Sequence, residues 1–385
     1  MSEWAVIEGV GQTDYTRRSD RSVIQLAMEA ILAACRDAGL DPRQIDGVLT
    51  YPNSVRAEDV MSNLGLHRLT YSVTVAMGGA SAVASLGHAA TAVRHGPARH
   101  VVIVQARNAS SGKRVGARPS QIAGQHFRRQ LEHPYGWNTP AQYYAFICRR
   151  YQHEVGLTST QLAAVALSAR RHAQLNPHAQ MYGRALDLDG YLAGRMIADP
   201  FRLFDCSLET DGACAVLVTV PELAADRPRH AAIRAVAEGR PPTPDDLTNR
   251  PQFLAIGLSS AAAGVWEEIG MGPDDMDAVM VYDPFTFQVI LQLEAAGFAA
   301  PGQAGPLAER GGLELGGPLP VNTHGGLLSE GHLAGLNHVI EGVRQLRGEC
   351  GQRQVPDCRR VAVTGWGDLG DGSFAVLQQV SGGGR

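Results

Sequence analysis

The chain has 385 residues, of which 44% are hydrophobic and 19% are charged, so it contains enough apolar material for one or two globular cores. Its formal net charge is −4 and it has no basic block with interleaved aromatics, which argues against a nucleic-acid partner. No apolar run reaches the roughly 18–20 residues that span a bilayer, and a strand-like segment begins at Trp4, so we expect neither a membrane span nor a signal peptide.

The first part of the chain alternates predicted strands and helices. Apolar runs predict four strands, at residues 6–10, 46–50, 71–75 and 100–105. Helical spacing predicts two helices, over residues 22–38 and 79–95, each followed by a glycine. Residues 108–201 then change to a helical pattern with long polar stretches and clustered aromatics, which indicates an insertion on the sheet framework.

Strand character returns after the insertion, and the alternation then repeats. Strands are predicted at residues 205–219, 229–238, 278–282, 361–364 and 374–380. Helices are predicted at residues 251–270, 286–296 and 332–346. This repeated alternation predicts an α/β fold of two similar halves. We place the N-terminal half at residues 1–225, with the insertion at about 108–201, and the C-terminal half at residues 226–385.

A glycine-rich turn, Ala76-Met77-Gly78-Gly79, follows a predicted strand and opens a helix of small residues. The start of a helix presents free N–H groups and the positive end of the helix dipole, which can bind an anion or activate a nucleophile. The spacing of a phosphate-binding loop is absent, so these glycines are also compatible with a tight turn and close helix packing alone.

Tyr282 and Asp283 stand at the end of a predicted strand, just before a helix. Side chains at such strand ends face the usual ligand crevice of α/β folds. Tyr282 is therefore a candidate acid or base, provided that its neighbours assist it, and Asp283 is a candidate cap for the following helix. A buried tyrosine whose hydroxyl is satisfied within the core is an equally good interpretation.

Residues 316–332 contain five glycines and two histidines, His324 and His332, in a predicted loop between a strand and a helix. Imidazoles suit acid–base catalysis near neutral pH. A metal site is not predicted, because His332 and His338 are six residues apart and do not share one helical face. In the last loop, the amides of Gly365, Trp366 and Gly367 form either an oxyanion site or a plain glycine hairpin.

The sequence contains few side chains that could form a covalent bond with a substrate. Its six cysteines include no Cys-x-x-Cys pair, so we expect reduced, mostly buried thiols in a cytoplasmic protein and no structural zinc site. Cys214 lies in an apolar strand and is expected to be inert. Lys113, the one lysine among 34 basic residues, falls in a polar stretch that does little to lower an amine pKa, which argues against Schiff-base chemistry.

Taken together, these segments resemble the thiolase superfamily over nearly the whole chain. The stretch from Asn322 to His332 is similar to the thiolase segment that ends in a catalytic Gly-His, and His332 aligns with that histidine. Tyr282 and Asp283 match the start of the thiolase Asn-Glu-Ala-Phe motif. The position of the thiolase nucleophile is vacant at Ala76, or at Met77 if the alignment shifts by one residue. The second thiolase cysteine is likewise replaced, by Gly365-Trp366-Gly367.

One subgroup of the superfamily lacks these cysteines, namely the lipid-transfer-protein-type homologues that include bacterial steroid side-chain retro-aldolases. Asp199-Pro200, Gln345–Gly348 and Gly365–Asp368 resemble this subgroup. The resemblance implies a thiolase-like fold of two βαβαβαββ halves with a loop domain. It also implies cleavage of a β-hydroxyacyl-CoA, with coenzyme A as part of the substrate and no covalently bound cofactor. The partners it implies are a second copy of the chain and a small OB-fold protein, often with a zinc ribbon, in a heterotetramer.

The family's proposed acid–base residues are two tyrosines, of which Tyr282 matches the first and His332 occupies the position of the second. We therefore expect retro-aldol cleavage by Tyr282 and His332. Supporting or oxyanion roles are expected for six residues: Asn322, His324, Gly79, Gly365, Trp366 and Gly367. Two alternatives stay open. One is thiolase-like acyl transfer or Claisen condensation with His332 as base, and the other is a non-catalytic scaffold that binds acyl-CoA or lipid.

Overall fold

A computed structural model describes residues 4–52, 54–112, 130–241, 250–367 and 370–381, and Lys113 lies outside these ranges. The main strands are β1 (Ala5–Gln12), β2 (Gly47–Thr50), β3 (Tyr71–Thr74), β4 (Val101–Asn108), β7 (Asp211–Thr219), β8 (Arg229–Gly239), β9 (Ala278–Met280), β10 (Arg360–Trp366) and β11 (Gly372–Ser381). Strands β5 (Met196–Ala198) and β6 (Phe201–Arg202) form a separate ribbon. Within the described ranges, the nine main strands form one mixed sheet.

The strand order of the sheet repeats between the two parts of the chain. The first part has the order β3-β2-β4-β7-β1, and the second continues it as β8-β11-β10-β9. A single parallel bridge between Val279 and Val321 stands where a fifth strand of the second part belongs. The expected α/β fold with a repeated topology is confirmed. The division at residue 225 stays a prediction, because β1 and β8 pair directly and join both parts into one sheet.

Eleven helices can be followed in the described residues. They are α1 (Val23–Ala38), α2 (Ala57–Leu64), α3 (Ser81–His95), α4 (Pro140–Val155), α5 (Ser159–Ala173), α6 (Leu188–Ala193), α7 (Leu258–Ile269), α8 (Thr286–Ala295), α9 (Ala304–Glu309), α10 (Gly326–Ser329) and α11 (Leu336–Arg347). Helices α3 and α11 contact each other and strands from both parts of the sheet. Helix α1 packs on β1, β4 and β7, while α7 packs on β8 and β11. No helix in these ranges is long and apolar enough to cross a membrane.

The predicted helical insertion contains α4, α5 and α6, followed by the β5–β6 ribbon. Helix α5 begins where the Thr158 hydroxyl accepts a hydrogen bond from the Gln161 amide, 3.2 Å away, as is usual for an N-cap. Helix α5 then packs against α8, α9 and α10 of the C-terminal part. The insertion therefore lies directly over the segment that contains His324 and His332.

Strand β7 begins later than the sequence predicts, at Asp211 instead of residue 205. The buried Asp205 carboxylate accepts a hydrogen bond from the Arg202 amide at 2.7 Å and closes a turn there. It also accepts from the hydroxyls of Tyr191 and Thr286, both at 2.6 Å. These side-chain contacts take the place of strand pairing, so residues 206–210 form an irregular loop.

The end of β9 and the start of α11 also differ from the prediction, because side chains form hydrogen bonds with the backbone at these points. Strand β9 ends at Met280, since the Asn322 side chain accepts from the Val281 amide at 2.7 Å and donates to the Val281 carbonyl at 2.8 Å. Helix α11 begins at Leu336 and not at residue 332, since the His332 amide donates to the Thr210 hydroxyl at 2.8 Å. His332 consequently lies in an extended loop ahead of the helix.

Arg347 in α11 joins the C-terminal part of the chain to the N-terminal part. Its guanidinium donates to the Asp37 carboxylate at 2.8 Å and to the carbonyls of Ile7 and Glu8 at 3.1 Å and 2.8 Å. The Arg347 side chain is almost fully buried, and Asp37 is the more exposed partner. A buried guanidinium with three acceptors fixes α11, and the loop that precedes it, relative to β1.

A buried network of ionisable side chains holds the segment after β9 against α10 and the loop that follows it. The Asp283 carboxylate accepts from the amides of Leu327 and Leu328 and lies 3.1 Å from His338 Nε2. Asp283 therefore caps α10, and the prediction that it caps the following helix, α8, is wrong. Burial raises the pKa of the Asp283 carboxyl, against the opposing effect of His338.

The network continues from His338 to Glu330. His338 Nδ1 lies 2.8 Å from His324 Nε2, which in turn lies 3.6 Å from a Glu330 carboxyl oxygen. Glu330 also accepts hydrogen bonds from the side-chain amides of Asn176 and Asn337. Burial raises the pKa of Glu330 from 4.5 to about 8, so this carboxyl is largely protonated at neutral pH.

We expect Arg347→Met to lower the free energy of unfolding by about 2–4 kcal/mol, because it leaves buried acceptors on β1 without a donor. Urea unfolding followed by circular dichroism measures this change. Arg43→Met is the matched control, since Arg43 pairs with Asp41 on the exposed surface and its loss should leave the midpoint unchanged. Equal midpoints for Arg347→Met and the wild type would contradict the role of Arg347.

Glu330 should make the protein less stable as the pH rises from about 4.5 to about 8. In that window the unfolded chain releases the Glu330 proton while the folded chain keeps it, so the folded state binds more protons and loses stability with increasing pH. Glu330→Gln removes this group. We expect the stability of the variant relative to wild type to increase between pH 5 and pH 8 in urea titrations. A constant difference across that range would show that Glu330 does not titrate with the stated pKa.

Candidate active site

Tyr282 and His332 meet at the edge of the sheet where the parallel strands end. The Tyr282 hydroxyl lies 3.4 Å from His332 Nε2, and the two rings are nearly perpendicular, at 75°. The other ring nitrogen, His332 Nδ1, lies 3.0 Å from the Ser207 hydroxyl. Tyr282 is only 7% exposed, and His332 is half-buried. The structure thus brings together the two residues that the sequence nominates as acid and base.

The backbone of Tyr282 is fixed by neighbouring side chains. Its amide donates to the Thr364 hydroxyl at 3.3 Å, and its carbonyl accepts from the Gln292 side-chain amide at 2.6 Å. Thr364 in turn donates to Gln292 at 2.7 Å, so one closed set of hydrogen bonds ties β10 and α8 to this residue. Because all three side chains are buried, the phenol ring has little freedom to move.

Glycines surround the Tyr282 ring. A Cβ atom on Gly79 would lie 2.1 Å from the ring carbon Cζ and 2.5 Å from the Trp366 carbonyl oxygen. A Cβ on Gly335, whose φ is +91°, would lie 3.1 Å from Tyr282 Cδ2. Gly79 therefore serves the close approach of the turn before α3 to the phenol ring, which any larger residue would prevent.

His332 is positioned by the loop that precedes β7. Its amide donates to Thr210, and the Ser207 amide donates to the Pro284 carbonyl at 2.8 Å, next to Tyr282. If Nδ1 carries the proton and donates to the Ser207 hydroxyl, Nε2 keeps its lone pair and faces the Tyr282 hydroxyl. This tautomer makes His332 an acceptor from Tyr282.

Ser207 and Thr210 were not among the predicted site residues. They lie between Asp205 and Cys214, in a segment for which the sequence predicts a strand and no site residue. Serine and threonine are common turn residues, so the sequence offers no signal that separates Ser207 from other serines.

The position of the thiolase nucleophile is vacant in the structure as well. Ala76 is exposed in the turn before α3, and Met77 beside it is buried. All six cysteines are free thiols. Burial raises the pKa of Cys35, Cys206 and Cys358 to about 12, and it raises the pKa values of the other three cysteines further. These thiols stay protonated at neutral pH, which makes them poor nucleophiles.

The last loop packs on the turn before α3. A Cβ on Gly365 would collide with the Ser373 hydroxyl and with Ala80, at 2.5 Å and 2.8 Å. The Gly367 amide donates to the Asp371 carbonyl at 2.8 Å, which engages one of the predicted oxyanion donors. Trp366 is 1% exposed, and its indole N–H has no hydrogen-bond partner among the described residues. That indole N–H is therefore a buried donor without an acceptor in the part of the chain that the structure describes.

Asn322 and His324 lie behind the Tyr282–His332 pair. The Asn322 side chain is occupied by the backbone of Val281, and Asn322 itself has a φ of +52°. His324 is fully buried between His338 and Glu330, and burial lowers its pKa well below 6.5. Of the two histidines in the glycine-rich segment, only His332 contacts Tyr282.

Comparison with known proteins identifies the family. Residues 242–379 match the family model described as Thiolase C-terminal domain-like. The chain is 38% identical to 17-hydroxy-3-oxo-4-pregnene-20-carboxyl-CoA lyase of Mycobacterium tuberculosis, over 90% of this chain and 92% of the relative. It is also 38% identical to the steroid side-chain-cleaving aldolase of Thermomonospora curvata, over 94% of each protein.

Among solved structures, the chain is similar to one described as Ltp2-ChsH2(DUF35) aldolase. The two share 35% identity with a TM-score of 0.92, over 100% of this chain and 99% of the other. The resemblance and the thiolase-like fold predicted from the sequence are thereby confirmed. The chain belongs to the thiolase superfamily, in the branch that contains the steroid side-chain-cleaving aldolases.

Proposed function

We propose that the protein cleaves a C–C bond of a β-hydroxyacyl-CoA thioester in a retro-aldol reaction, with Tyr282 and His332 as its acid–base pair. The observation that carries this proposal is the 3.4 Å contact between the Tyr282 hydroxyl and His332 Nε2. Relatives at 38% identity are named as a carboxyl-CoA lyase and as a side-chain-cleaving aldolase, which supports the same reaction class. By analogy with them, the proposed acyl group is a steroid side chain.

The reaction begins with removal of the proton from the substrate's β-hydroxyl group. His332 Nε2 accepts this proton, either directly or through Tyr282, and Ser207 stabilises the resulting imidazolium by accepting from Nδ1. The electron pair of the O–H bond forms the C=O of the released ketone or aldehyde. The electron pair of the broken C–C bond moves into the thioester as an enolate. Protonation of the enolate carbon by Tyr282 then gives the shorter acyl-CoA. The His332 imidazolium returns the substrate's proton to the Tyr282 oxygen across the same contact, which restores both side chains.

The enolate oxygen needs hydrogen-bond donors in a site that excludes water. The Trp366 indole N–H is a buried donor with no partner among the described residues. The main chain of the same residue lies at the Gly79 turn, since a Cβ atom on Gly79 would be 2.5 Å from the Trp366 carbonyl oxygen. We assign this indole N–H to the enolate oxygen, together with main-chain amides of the turn before α3. The Gly367 amide is engaged with Asp371 and is left out of this assignment.

The alternative functions fit the site less well. Acyl transfer through an acyl-enzyme needs a nucleophile, but Ala76 stands at its position and all six thiols have raised pKa values. A non-catalytic scaffold would have no need for the orientation of His332 by Ser207 and Thr210 or for the constraint on the Tyr282 backbone. A retro-aldol reaction uses these features and requires no covalent intermediate.

We further propose that the protein acts in the cytoplasm as a homodimer bound to a small OB-fold partner. Strand β3 lies at one end of the sheet and pairs only with β2 among the described strands, so its outer edge is open to a second copy. The solved structure described as Ltp2-ChsH2(DUF35) aldolase supports the partner. Six free cysteines fit a reducing compartment.

Tyr282→Phe and His332→Ala should each lower kcat for a β-hydroxyacyl-CoA by about 100-fold to 10,000-fold, because each removes one proton-transferring group. Release of the ketone or aldehyde product by the purified complex is measured. Tyr182→Phe is a matched control, since Tyr182 is an exposed tyrosine outside the site. Turnover near the wild-type rate by the Tyr282→Phe, His332→Ala double variant would overturn the assignment.

Incubation with an acyl-CoA should leave the intact mass of the protein unchanged, because none of its thiols is a thiolate at neutral pH. Intact-protein mass spectrometry before and after a chase with free coenzyme A measures this. Denatured protein serves as the control, because unfolding exposes the cysteines and restores their ordinary reactivity. A stable acyl adduct on one cysteine of the native protein would instead favour the acyl-transfer alternative.

A further inference from the structure

The helical insertion holds the loop that contains His332, although it contributes neither member of the proposed acid–base pair. Main-chain hydrogen bonds join the segment after α5 to the residues that precede His332. The Met181 amide donates to the Ser329 carbonyl at 3.1 Å, and the Gln180 amide donates to the Glu330 carbonyl at 3.0 Å. The insertion therefore fixes the backbone two residues before His332.

Asn176 lies in the same segment, and its side chain forms a second connection to this loop. It is only 1% exposed. Its Nδ2 donates to the His324 carbonyl at 3.0 Å and to a Glu330 carboxyl oxygen at 3.1 Å. Its Oδ1 accepts from the His178 amide at 3.2 Å. Because His324 precedes α10 and Glu330 follows it, this one buried amide joins both ends of α10 to the insertion.

These contacts leave the Asn176 amide with one favourable orientation. The His324 carbonyl can only accept and the His178 main-chain amide can only donate, so a rotated side chain would place like groups against both. Both N–H bonds of the amide are used. A buried amide with all these partners has little freedom to move, and its loss would take a donor from two buried acceptors.

The contact with Glu330 extends to the residue before His332. The other Glu330 carboxyl oxygen accepts from Asn337 Nδ2 at 2.8 Å, and the same Nδ2 donates to the Gly331 carbonyl at 3.1 Å. Gly331 also packs on the Tyr15 ring, since a Cβ atom on Gly331 would be 2.7 Å from Tyr15 Cδ2. The loop is thus held by the Tyr15 ring and by a chain of buried side chains that begins at the insertion.

We propose that Asn176 is a positioning residue for His332. It acts through the Glu330 carboxyl and keeps the imidazole within reach of the Tyr282 hydroxyl. The 3.4 Å contact between imidazole and phenol is already longer than most hydrogen bonds, so a further displacement would separate the two groups. A misplacement of about 1 Å can lower a rate by about 100-fold. This inference rests on the proposed function, since it assumes that His332 takes the substrate's proton.

Asn176→Leu keeps the approximate size of the side chain and removes its hydrogen bonds. We expect this variant of the purified complex to lose about tenfold or more in kcat for a β-hydroxyacyl-CoA, with KM changed by less than about twofold. Asn63→Leu is the matched control, because Asn63 donates to the Asp59 carbonyl on the exposed surface of α2, and both constants should stay unchanged. A wild-type kcat in Asn176→Leu would overturn the proposal.

A second pair of variants separates positioning from a general loss of stability, and it keeps the test valid if Asn176→Leu fails to fold. Asn176→Asp leaves at most one donor where the amide has two, so kcat should fall. Asn176→Asp/Glu330→Gln exchanges the donor and the acceptor, and the contact can form again with reversed polarity. We expect kcat of the double variant to exceed that of Asn176→Asp by about fivefold or more. No recovery in the double variant would contradict a role for this contact.

A measurement that needs no turnover distinguishes failure of the positioning role from failure of the reaction. In protein labelled with ¹³C at histidine Cε1, the His332 resonance is identified by its loss in His332→Ala. We expect Asn176→Leu to shift or broaden this resonance, and an unmoved resonance would overturn the inference. A shifted resonance in Asn176→Leu, together with a wild-type complex that cleaves no thioester, would overturn the proposed reaction and leave the positioning of His332 standing.

Discussion

The geometry of the proposed acid–base pair depends on the buried carboxylate of Asp283. It accepts two amide hydrogen bonds from the first turn of α10 and lies against His338, so it fixes the segment after β9 to the segment that leads to His332. Tyr282 is its immediate neighbour, and His332 follows α10 by three residues. A shift of either segment would change the 3.4 Å contact between phenol and imidazole, on which the proposed proton transfers rest.

The site is assembled from both parts of the chain. Tyr282, His332 and Trp366 come from the C-terminal part, whereas Gly79 and Ser207 come from the N-terminal part. The repeated topology places His332 just before α11 in the way that Ala76 stands before α3. Because Ala76 stands at the position of the thiolase nucleophile, the turn before α3 does not supply a nucleophile and has a structural role instead. It allows the Tyr282 ring to approach the main chain at Gly79.

The sequence was sufficient to predict features that depend on local periodicity or on a single residue type. Alternating strands and helices, Tyr282 at a strand end and the missing cysteine at Ala76 all belong to this class. The different positions of His324 and His332 could not be predicted in this way. Positive φ values at Asn322 and Gly325 turn the backbone there and place His324 in the core. The role of Ser207 could not be predicted for another reason. Its contact with His332 joins residues that are 125 positions apart in the chain.

The scarcity of side chains that could form a covalent intermediate fits the chemistry of the proposed reaction. A retro-aldol reaction on a thioester needs no amine and no thiolate, because the thioester itself accepts the electron pair as an enolate. It needs a substrate whose β-hydroxyl faces His332, and it needs an acid and a base held at a fixed distance from each other. The 3.4 Å contact between the Tyr282 hydroxyl and His332 Nε2 supplies that pair.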